Sequence, residues 1–155
     1  MKKSLIIILL FFATYCVCNS SVVAQKINGS IDEKTVILGR TAHGKIILTI
    51  PSGLHINSNK PADEFLVPTT VKFSSSNVKI GKIIYPKAKL KKFKFSEEPL
   101  SVYEGKIAIN FTFSIPSKFE SKQVKIDAAI KYQACTEQVC FPPKKEKLLL
   151  FAKIK

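Results

Sequence analysis

The chain has 155 residues, of which 25 are lysine or arginine and 11 are aspartate or glutamate, giving a formal net charge of +14. Arginine occurs only at Arg40, the lysines are spread along the chain, and tryptophan is absent. Grooves that bind nucleic acid favour arginine together with aromatic stacking platforms, so this composition argues against nucleic acid as a partner. A diffuse positive charge favours solubility and attraction to acidic partners or membrane surfaces.

The first 24 residues have the pattern of a cleavable signal peptide. Lys2 and Lys3 precede a nearly unbroken apolar run from Leu5 to Ala13. Val22 and Ala24 suit the small-residue positions of a signal-peptidase site, which predicts cleavage after Ala24. The apolar run is shorter than the ~20 residues of a membrane span, and we expect no transmembrane span in the mature chain.

The predicted signal peptide indicates export, and its cleavage would reduce the number of cysteines in the mature chain. Cys16 and Cys18 would leave with the signal, so residues 25–155 form one domain that keeps only Cys135 and Cys140. Tyr15 and Val17 precede the first two cysteines where a small residue is expected, so we do not favour a lipid anchor on either. We predict a periplasmic or secreted protein, in which an even pair of cysteines is expected to form a disulfide.

From Gln25 onward the pattern is that of β-structure, without a sustained helical repeat. Lys106–Ile115 has large apolar residues at odd positions, and Val124–Tyr132 has apolar residues at even positions. This period of two predicts strands with one face in the core and the other towards water. Shorter strands are predicted at Thr35–Leu38, Lys45–Ile50, Thr70–Ser74, Val78–Ile80, Ile83–Tyr85 and Leu148–Ala152.

One of these strands and the segment before it carry more specific expectations. Lys45–Ile50 is apolar and β-branched, which predicts a strand buried on both faces. The segment Gly39–Gly44 is expected to form a turn before it.

Roughly seven to nine short strands, separated by turn residues, predict an all-β fold, an immunoglobulin-like antiparallel β-sandwich. A closed β-barrel is the alternative.

The stretch Lys131–Pro143 contains the two remaining cysteines, five positions apart. If a strand ending near Ala134 pairs with one beginning near Lys147, this stretch is a hairpin-like connection with Cys135 and Cys140 across its neck. Opposed residues at such a neck have Cα atoms about 4.5 Å apart, near the short end of the range for disulfides. A tight, exposed bridge is more easily reduced than a buried one.

Three uses of this cysteine pair remain open: redox exchange, a structural staple and metal binding. Closing a loop of about six residues contributes only ~2 kcal/mol, so a staple would be a weak use of the only two cysteines. His43 and His55, the only histidines, lie far from the cysteines in sequence, although two thiolates alone suit Cu(I). The spacing favours redox exchange without excluding the other two uses.

The cysteine segment also carries a family resemblance. Tyr132-Gln133-Ala134-Cys135, followed after four residues by Cys140-Phe141-Pro142-Pro143, resembles the active-site segment of the N-terminal domain family of the thiol:disulfide interchange protein DsbD. Leu54 stands where that family commonly has tryptophan. From about Lys26 to Ile154, further segments resemble the family in the same order: Gly53–Ser58, Tyr85-Pro86 and Glu98–Gly105.

The resemblance implies an immunoglobulin-like periplasmic domain in which Cys135 and Cys140 alternate between dithiol and disulfide, with no cofactor or metal. A partner thiolate would open the disulfide and form a mixed disulfide, which a second thiol resolves. The resemblance implies that Cys140 forms the mixed disulfide, whereas the sequence itself does not separate the two roles. The expected donor is a thioredoxin-like or membrane-embedded thiol reductase, and the expected clients are oxidised periplasmic thiol proteins.

On this interpretation, the domain is expected to act as a protein thiol–disulfide oxidoreductase. The alternative function is a non-catalytic immunoglobulin-like binding module with a structural disulfide. The resemblance further implies a loop that covers the cysteines until a partner arrives. The candidates for this cover are Phe93, Phe95, Glu97 and Glu98. In the opposing interpretation both phenylalanines are core residues of a basic-faced strand, Lys89–Phe95.

Four residues beside the cysteines are expected to support the site. Alternation predicts that Tyr132 points into the core and that Gln133 faces the other side. Pro142 and Pro143 are expected to limit further ladder pairing and to fix the direction in which the chain leaves. His55 is expected to make a structural hydrogen bond.

Overall fold

The computed structural model describes residues 25–62 and 64–155, in which all regular structure is β-strand. The predicted signal peptide, residues 1–24, lies outside the described residues. Within the described ranges, no helix is long and apolar enough to cross a membrane.

Twelve strands in the described part of the chain form three four-stranded sheets. The first sheet has the order β1 (Lys26–Ile31), β3 (Thr41–Thr49), β9 (Lys106–Ser114), β6 (Lys79–Ile84). The second has the order β2 (Thr35–Val36), β12 (Lys144–Ile154), β10 (Gln123–Tyr132), β5 (Thr70–Ser74). The third has the order β11 (Ala134–Cys135), β4 (His55–Asn57), β8 (Leu100–Tyr103), β7 (Lys89–Lys91). Neighbouring strands are antiparallel except β2 and β12, which are parallel.

The main core lies between the first two sheets. Along β9 and β10, buried residues alternate with more exposed ones. Burying an apolar side chain of this size contributes ~1.5–3 kcal/mol, so the two sheets are held together chiefly by these inward faces. The buried residues that share this cluster include Ile46, Leu48, Ile109, Phe111, Phe113, Val124, Ile126, Ile130 and Leu150.

The third sheet lies at one end of the sandwich. Its strand β4 follows β3, β8 precedes β9, and β11 follows β10, so all three continue from the same end of the two main sheets. This sheet has a small apolar cluster of its own, formed by Phe93, Leu100 and Val102 with Leu66 packed against them. Cys135 therefore lies at an end of the domain, on a sheet that is partly separate from the main core, and Cys140 follows close to it in the chain.

The predicted immunoglobulin-like sandwich is confirmed, and the strands with clear alternation are found where they were expected. β5 has the predicted bounds, and β9 and β10 differ from the prediction by one residue at one end. The expected number of strands was too low. β1, β4 and β8 were not predicted as strands, β7 was predicted only as part of the alternative strand Lys89–Phe95, and β11 was not separated from β10.

The expectations for the segment around Gly44 were wrong. Gly44 lies inside β3, and the turn precedes Thr41. A Cβ at Gly44 would collide with the ring of Phe111, so the glycine serves close packing between β3 and β9. The Lys45–Ile50 segment is not buried on both faces, since Ile47 is only half-buried on the outer face of the first sheet.

The two short strands predicted on either side of Gly81 are one strand, β6. Its pairing with β9 shifts register between Ile80 and Ile83, which marks a β-bulge. A bulge inserts an extra residue and breaks the alternation of side chains, so the sequence pattern looked like two separate strands.

Candidate redox site

The cysteines lie in the connection between β10 and β12, which form a long hairpin. The two strands pair in register from Gln123 opposite Lys153 to Tyr132 opposite Lys144. The predicted hairpin is therefore present, although β12 begins at Lys144 rather than near Lys147. Pro142 and Pro143 directly precede β12, where the lack of an N–H group on proline suits the end of the ladder.

Within this connection the two cysteines face each other and are joined. Cys135 and Cys140 are antiparallel bridge partners linked by a disulfide, with Cα atoms 3.9 Å apart. The turn between them is closed by the N–H of Thr136, which donates to the carbonyl of Val139 at 2.8 Å. The hydroxyl of Thr136 also accepts from the N–H groups of Gln138 and Val139, at 3.2 and 3.1 Å. A short hydrogen-bonded turn thus holds the two cysteines in place.

The two cysteines differ in exposure. Cys135 is 0% exposed, because β11 pairs with β4 and places Ala134 opposite Ile56 and Cys135 opposite His55. Cys140 lies at the far end of the turn, outside the strands of the third sheet, and is only half-buried. A molecule in solution therefore meets the disulfide from the side of Cys140.

His55 lies directly opposite Cys135 in the ladder between β4 and β11. Cross-strand partners in an antiparallel pair point to the same face, with Cβ atoms about 4.5–5.5 Å apart. The imidazole is 2% exposed and stacks on the ring of Phe93, with centroids 4.1 Å apart. Its Nε2 atom is buried and has no hydrogen-bond partner among the described residues, so the structural hydrogen bond expected of His55 is not made at Nε2.

Burial lowers the pKa of His55 below its ordinary value of 6.5, and the positive charge of Lys91 lowers this pKa further. The carboxylates of Glu137 and Glu104 act in the opposite direction, but more weakly. The imidazole of His55 is therefore neutral at neutral pH.

An ion-pair network connects the cysteine turn to the third sheet. Lys91, at the end of β7, places its Nζ 2.9 Å from Oε1 of Glu137 and 2.8 Å from Oε1 of Glu104. Glu137 lies between the two cysteines in the turn, and Nζ of Lys91 is also 5.4 Å from the ring centroid of Phe93. The hydrogen bonds from Lys91 lower the pKa of Glu104.

The candidate cover residues occupy two different environments. Phe93 is buried in the small apolar cluster, and Phe95, 42% exposed, stacks on it with centroids 5.4 Å apart. Glu97 and Glu98 are exposed and lie beside Phe95 along a surface groove of about 590 Å³. The structure thus brings the two phenylalanines into a stack that begins at His55, next to Cys135, and continues towards the surface.

The opposing interpretation of these phenylalanines is correct only in part. Phe93 is a buried residue, as that interpretation requires. However, β7 ends at Lys91, so neither phenylalanine belongs to a regular strand, and Phe95 is exposed rather than a core residue.

Two of the supporting residues have the positions expected of them. Tyr132 is 1% exposed and belongs to the main core cluster. The Gln133 side chain donates from Nε2 to the carbonyl of Phe141 at 3.0 Å and accepts from Nδ2 of Asn57 at 3.3 Å. Gln133 therefore ties both ends of the cysteine connection to β4.

Two features of the site were missed by the sequence interpretation. His55 precedes Cys135 by 80 positions yet faces it across two paired strands, and Lys91 reaches Glu137 from another strand of the third sheet. The Gly53–Ser58 match to the family was the one signal that linked His55 to this site. Among residues 25–62 and 64–155, no group of three or more His, Cys, Asp or Glu side chains is placed to hold a metal ion.

The lowered pKa of His55 predicts a specific dependence of stability on pH. Unfolded histidine takes up a proton near pH 6.5, whereas the folded state resists protonation until a lower pH. Protonation in that window favours the unfolded chain, so the free energy of unfolding falls as the pH falls below 6.5. A His55→Phe variant keeps an aromatic ring against Phe93 but cannot be protonated.

We expect the wild-type protein to lose more stability than His55→Phe between about pH 7 and about pH 5. Urea unfolding of both proteins at each pH, with the disulfide intact, measures the difference. Equal losses in the two proteins would show that His55 is not held in its neutral form by the fold.

Comparisons with known proteins support the fold and show the family. The chain is 34% identical over 82 residues to the thiol:disulfide interchange protein DsbD of Pseudoalteromonas atlantica, a match that spans 52% of this chain and 13% of that relative. The solved N-terminal periplasmic domain of ScsB from Proteus mirabilis has 12% identity and a TM-score of 0.53 over 80% of this chain and 44% of that one, which supports the fold. The N-terminal domain of DsbD from Neisseria meningitidis, solved in the reduced form, has 18% identity and a TM-score of 0.48 over 71% of this chain and 77% of that one. The family model described as "Thiol:disulfide interchange protein DsbD, N-terminal" matches residues 32–152, so the chain belongs to the DsbD N-terminal domain family.

Proposed function

We propose that this domain is a thiol–disulfide interchange module that relays reducing equivalents between exported proteins through the Cys135–Cys140 couple. The observation that carries the proposal is a disulfide between two cysteines of unequal exposure, at an end of a domain of the DsbD N-terminal family. The interchange activity named for the Pseudoalteromonas atlantica relative supports the same chemistry.

The unequal exposure of the two cysteines supports a different role for each. A partner thiolate attacks Sγ of Cys140, the half-buried cysteine, and forms a mixed disulfide with it. The bond between Cys140 and Cys135 breaks, and its electron pair leaves on Sγ of Cys135. A second thiolate of the partner then attacks the partner sulfur in the mixed disulfide and releases the thiolate of Cys140. Both cysteines of the domain are then reduced.

The reduced domain uses the same atoms in the opposite direction. The Cys140 thiolate attacks the disulfide of a client and forms a mixed disulfide with one client sulfur. Cys135 is poorly exposed to other proteins, but its Cα atom is 3.9 Å from that of Cys140, so it is well placed to resolve the mixed disulfide. Neither direction needs a metal or an organic cofactor.

The proposed partners follow from this relay. The donor is a thioredoxin-like or membrane-embedded thiol reductase, and the clients are oxidised thiol proteins of the periplasm. Membership of the DsbD N-terminal family supports both assignments, and the predicted signal peptide supports the compartment.

The segment after β7 is proposed as the cover of the site, with Phe93 as its anchor and Phe95, Glu97 and Glu98 as its outer part. The continuous stack of His55, Phe93 and Phe95 supports this role. The ion pair between Lys91 and Glu137 is a second link between this segment and the cysteine turn. The outer ring of the stack, Phe95, and the Lys91–Glu137 pair are both partly exposed, so an incoming protein can displace them.

Trapping of mixed disulfides tests the roles of the two cysteines. Cys135→Ala keeps the exposed thiol and removes the resolving one, so mixed disulfides with partners should accumulate. Cys140→Ala keeps only the buried thiol and should trap at least about tenfold less, because access to the thiolate limits exchange. The products are isolated from the periplasm after acid quenching and identified by non-reducing electrophoresis and mass spectrometry.

The variant that lacks both cysteines is the control for nonspecific capture. Equal trapping by the two single variants, or stronger trapping by Cys140→Ala, would contradict the assigned roles.

Removal of the outer phenylalanine tests the cover. An aromatic pair contributes ~0.5–1.5 kcal/mol, so Phe95→Ala should raise the rate of alkylation of the reduced cysteines about two- to tenfold without unfolding the domain. Phe151→Ala is the matched control, because Phe151 is similarly exposed, at 49%. It pairs with Lys125 on β10, seven positions along the hairpin from the Tyr132–Lys144 pair that borders the cysteine connection. If Phe95→Ala alkylates no faster than this control, the cover proposal fails.

A further inference from the structure

We infer that His55 is the general base that takes the proton from the Cys135 thiol when this thiol resolves the mixed disulfide at Cys140. This inference rests on the proposed interchange function and adds a proton-transfer residue to it. Four observations carry it: the placement of His55, its unpartnered nitrogen, the burial of Cys135 and a cavity beside the imidazole.

The placement comes from the short pairing of β4 with β11. β4 and β11 pair through Ala134 with Ile56 and through Cys135 with His55. Because Cα partners in an antiparallel ladder share a face, the imidazole and the Cys135 side chain project to the same side of the third sheet. The Phe93 ring packs on the imidazole and holds it in this position.

The unpartnered nitrogen is accounted for by the state of the sulfur. Nε2 of His55 is buried without a hydrogen-bond partner in the described part of the chain. Such an atom costs free energy and calls for an explanation. In the disulfide the Cys135 sulfur carries no proton, so it offers Nε2 no donor. When the disulfide opens, an S–H group appears on the side chain that faces His55 across the ladder, and Nε2 of His55 has no other partner among the described residues to displace.

A buried thiol needs a base to remove its proton before it can attack a disulfide. Cys135 is 0% exposed. Burial disfavours a thiolate, and the thiolate is the species that attacks a disulfide. A neutral imidazole on the paired strand, facing Cys135, provides an acceptor where water has little access.

The surroundings of His55 suit an imidazole that accepts and then releases a proton. Lys91 faces it from β7, Glu104 from the end of β8 and Glu137 from the cysteine turn. Burial and Lys91 keep the imidazole neutral at rest, while the two carboxylates favour the imidazolium once it forms. These four side chains line a cavity of about 380 Å³, which gives the proton a route out of the site.

The step balances within the domain and its client. The proton on Sγ of Cys135 moves to Nε2 of His55 as the sulfur lone pair attacks Sγ of Cys140. The Cys135–Cys140 bond forms, the bond between Cys140 and the client sulfur breaks, and its electron pair leaves on the client as a thiolate. His55 then gives its proton to the carboxylates or to water in the cavity. The domain is oxidised, the client is reduced, and no other reagent is consumed.

Single-turnover reaction of the reduced domain with dithio-bis-nitrobenzoate tests this step. The first nitrothiobenzoate released reports attack by Cys140, and the second reports resolution by Cys135. For the wild-type domain, the rate of the second phase should be nearly independent of pH between about 6.5 and 8, because the neutral imidazole accepts the proton throughout this range.

In His55→Phe, which keeps the aromatic stack, the second phase should be about a hundredfold slower near pH 7, at the lower end of what a positioned base contributes. Its rate should also rise about tenfold for each pH unit, because it then follows ionisation of a thiol with a pKa above this range. The first phase should be unchanged. His43→Phe, which replaces the other histidine at an exposed position of β3, should leave both phases as in the wild type.

The outcomes separate this inference from the proposed function. A wild-type domain that releases no second nitrothiobenzoate would refute interchange itself. A second phase whose rate and pH profile are the same in His55→Phe and wild type would overturn only the role of His55. If His55→Phe does not fold, the wild-type profile alone decides: a tenfold rise per pH unit would exclude a neutral base.

Discussion

The two-pair ladder between β4 and β11 is the interaction on which the site depends. It places Cys135 inside the third sheet, opposite His55, while the hydrogen-bonded turn that follows carries Cys140 out of the sheet. The two sulfurs of one bond therefore have different surroundings. That difference gives one cysteine access to other proteins and the other access only to its neighbour.

The main core and the β10–β12 hairpin hold the cysteine connection in place, and most of their contacts do not involve the cysteines. The main core lies between the two large sheets, and the β10–β12 hairpin delivers the cysteine connection to one end of them. Phe93, in the segment after β7, packs in a small cluster with Leu100 and Val102 that is separate from the main core. The ion pair from Lys91 to Glu137 joins side chains that are 39% and 48% exposed, and pairs so exposed to solvent contribute little to stability. The proposed cover requires such a weak link, which a docking protein could open.

The sequence predicted best those parts of the fold that depend on local alternation. β5, β9 and β10 alternate cleanly, and each faces the core on one side. β4 is three residues long and buried at every position, so it has no period to detect. Gly44 looked like a turn residue because its reason for being glycine, the ring of Phe111, lies on another strand.

The same distinction applies to the site. The spacing of Cys135 and Cys140 and the prolines after them are local, and the hairpin neck was predicted from them. The roles of His55 and Lys91 depend on strands that are far apart in sequence and adjacent only in the folded sheet. Composition and spacing contain no information on such pairings, which is why the proton acceptor and the cation of the cysteine turn emerged only from the structure.

The reduction potential of the Cys135–Cys140 couple, measured by equilibration with glutathione or thioredoxin, tests most directly whether this bond opens and closes in use. Interchange requires a potential within reach of periplasmic and thioredoxin-like couples, which lie between about −120 and about −270 mV. A potential below about −300 mV, typical of structural disulfides that resist the glutathione pool, would mean that the bridge is a permanent staple and would contradict the account.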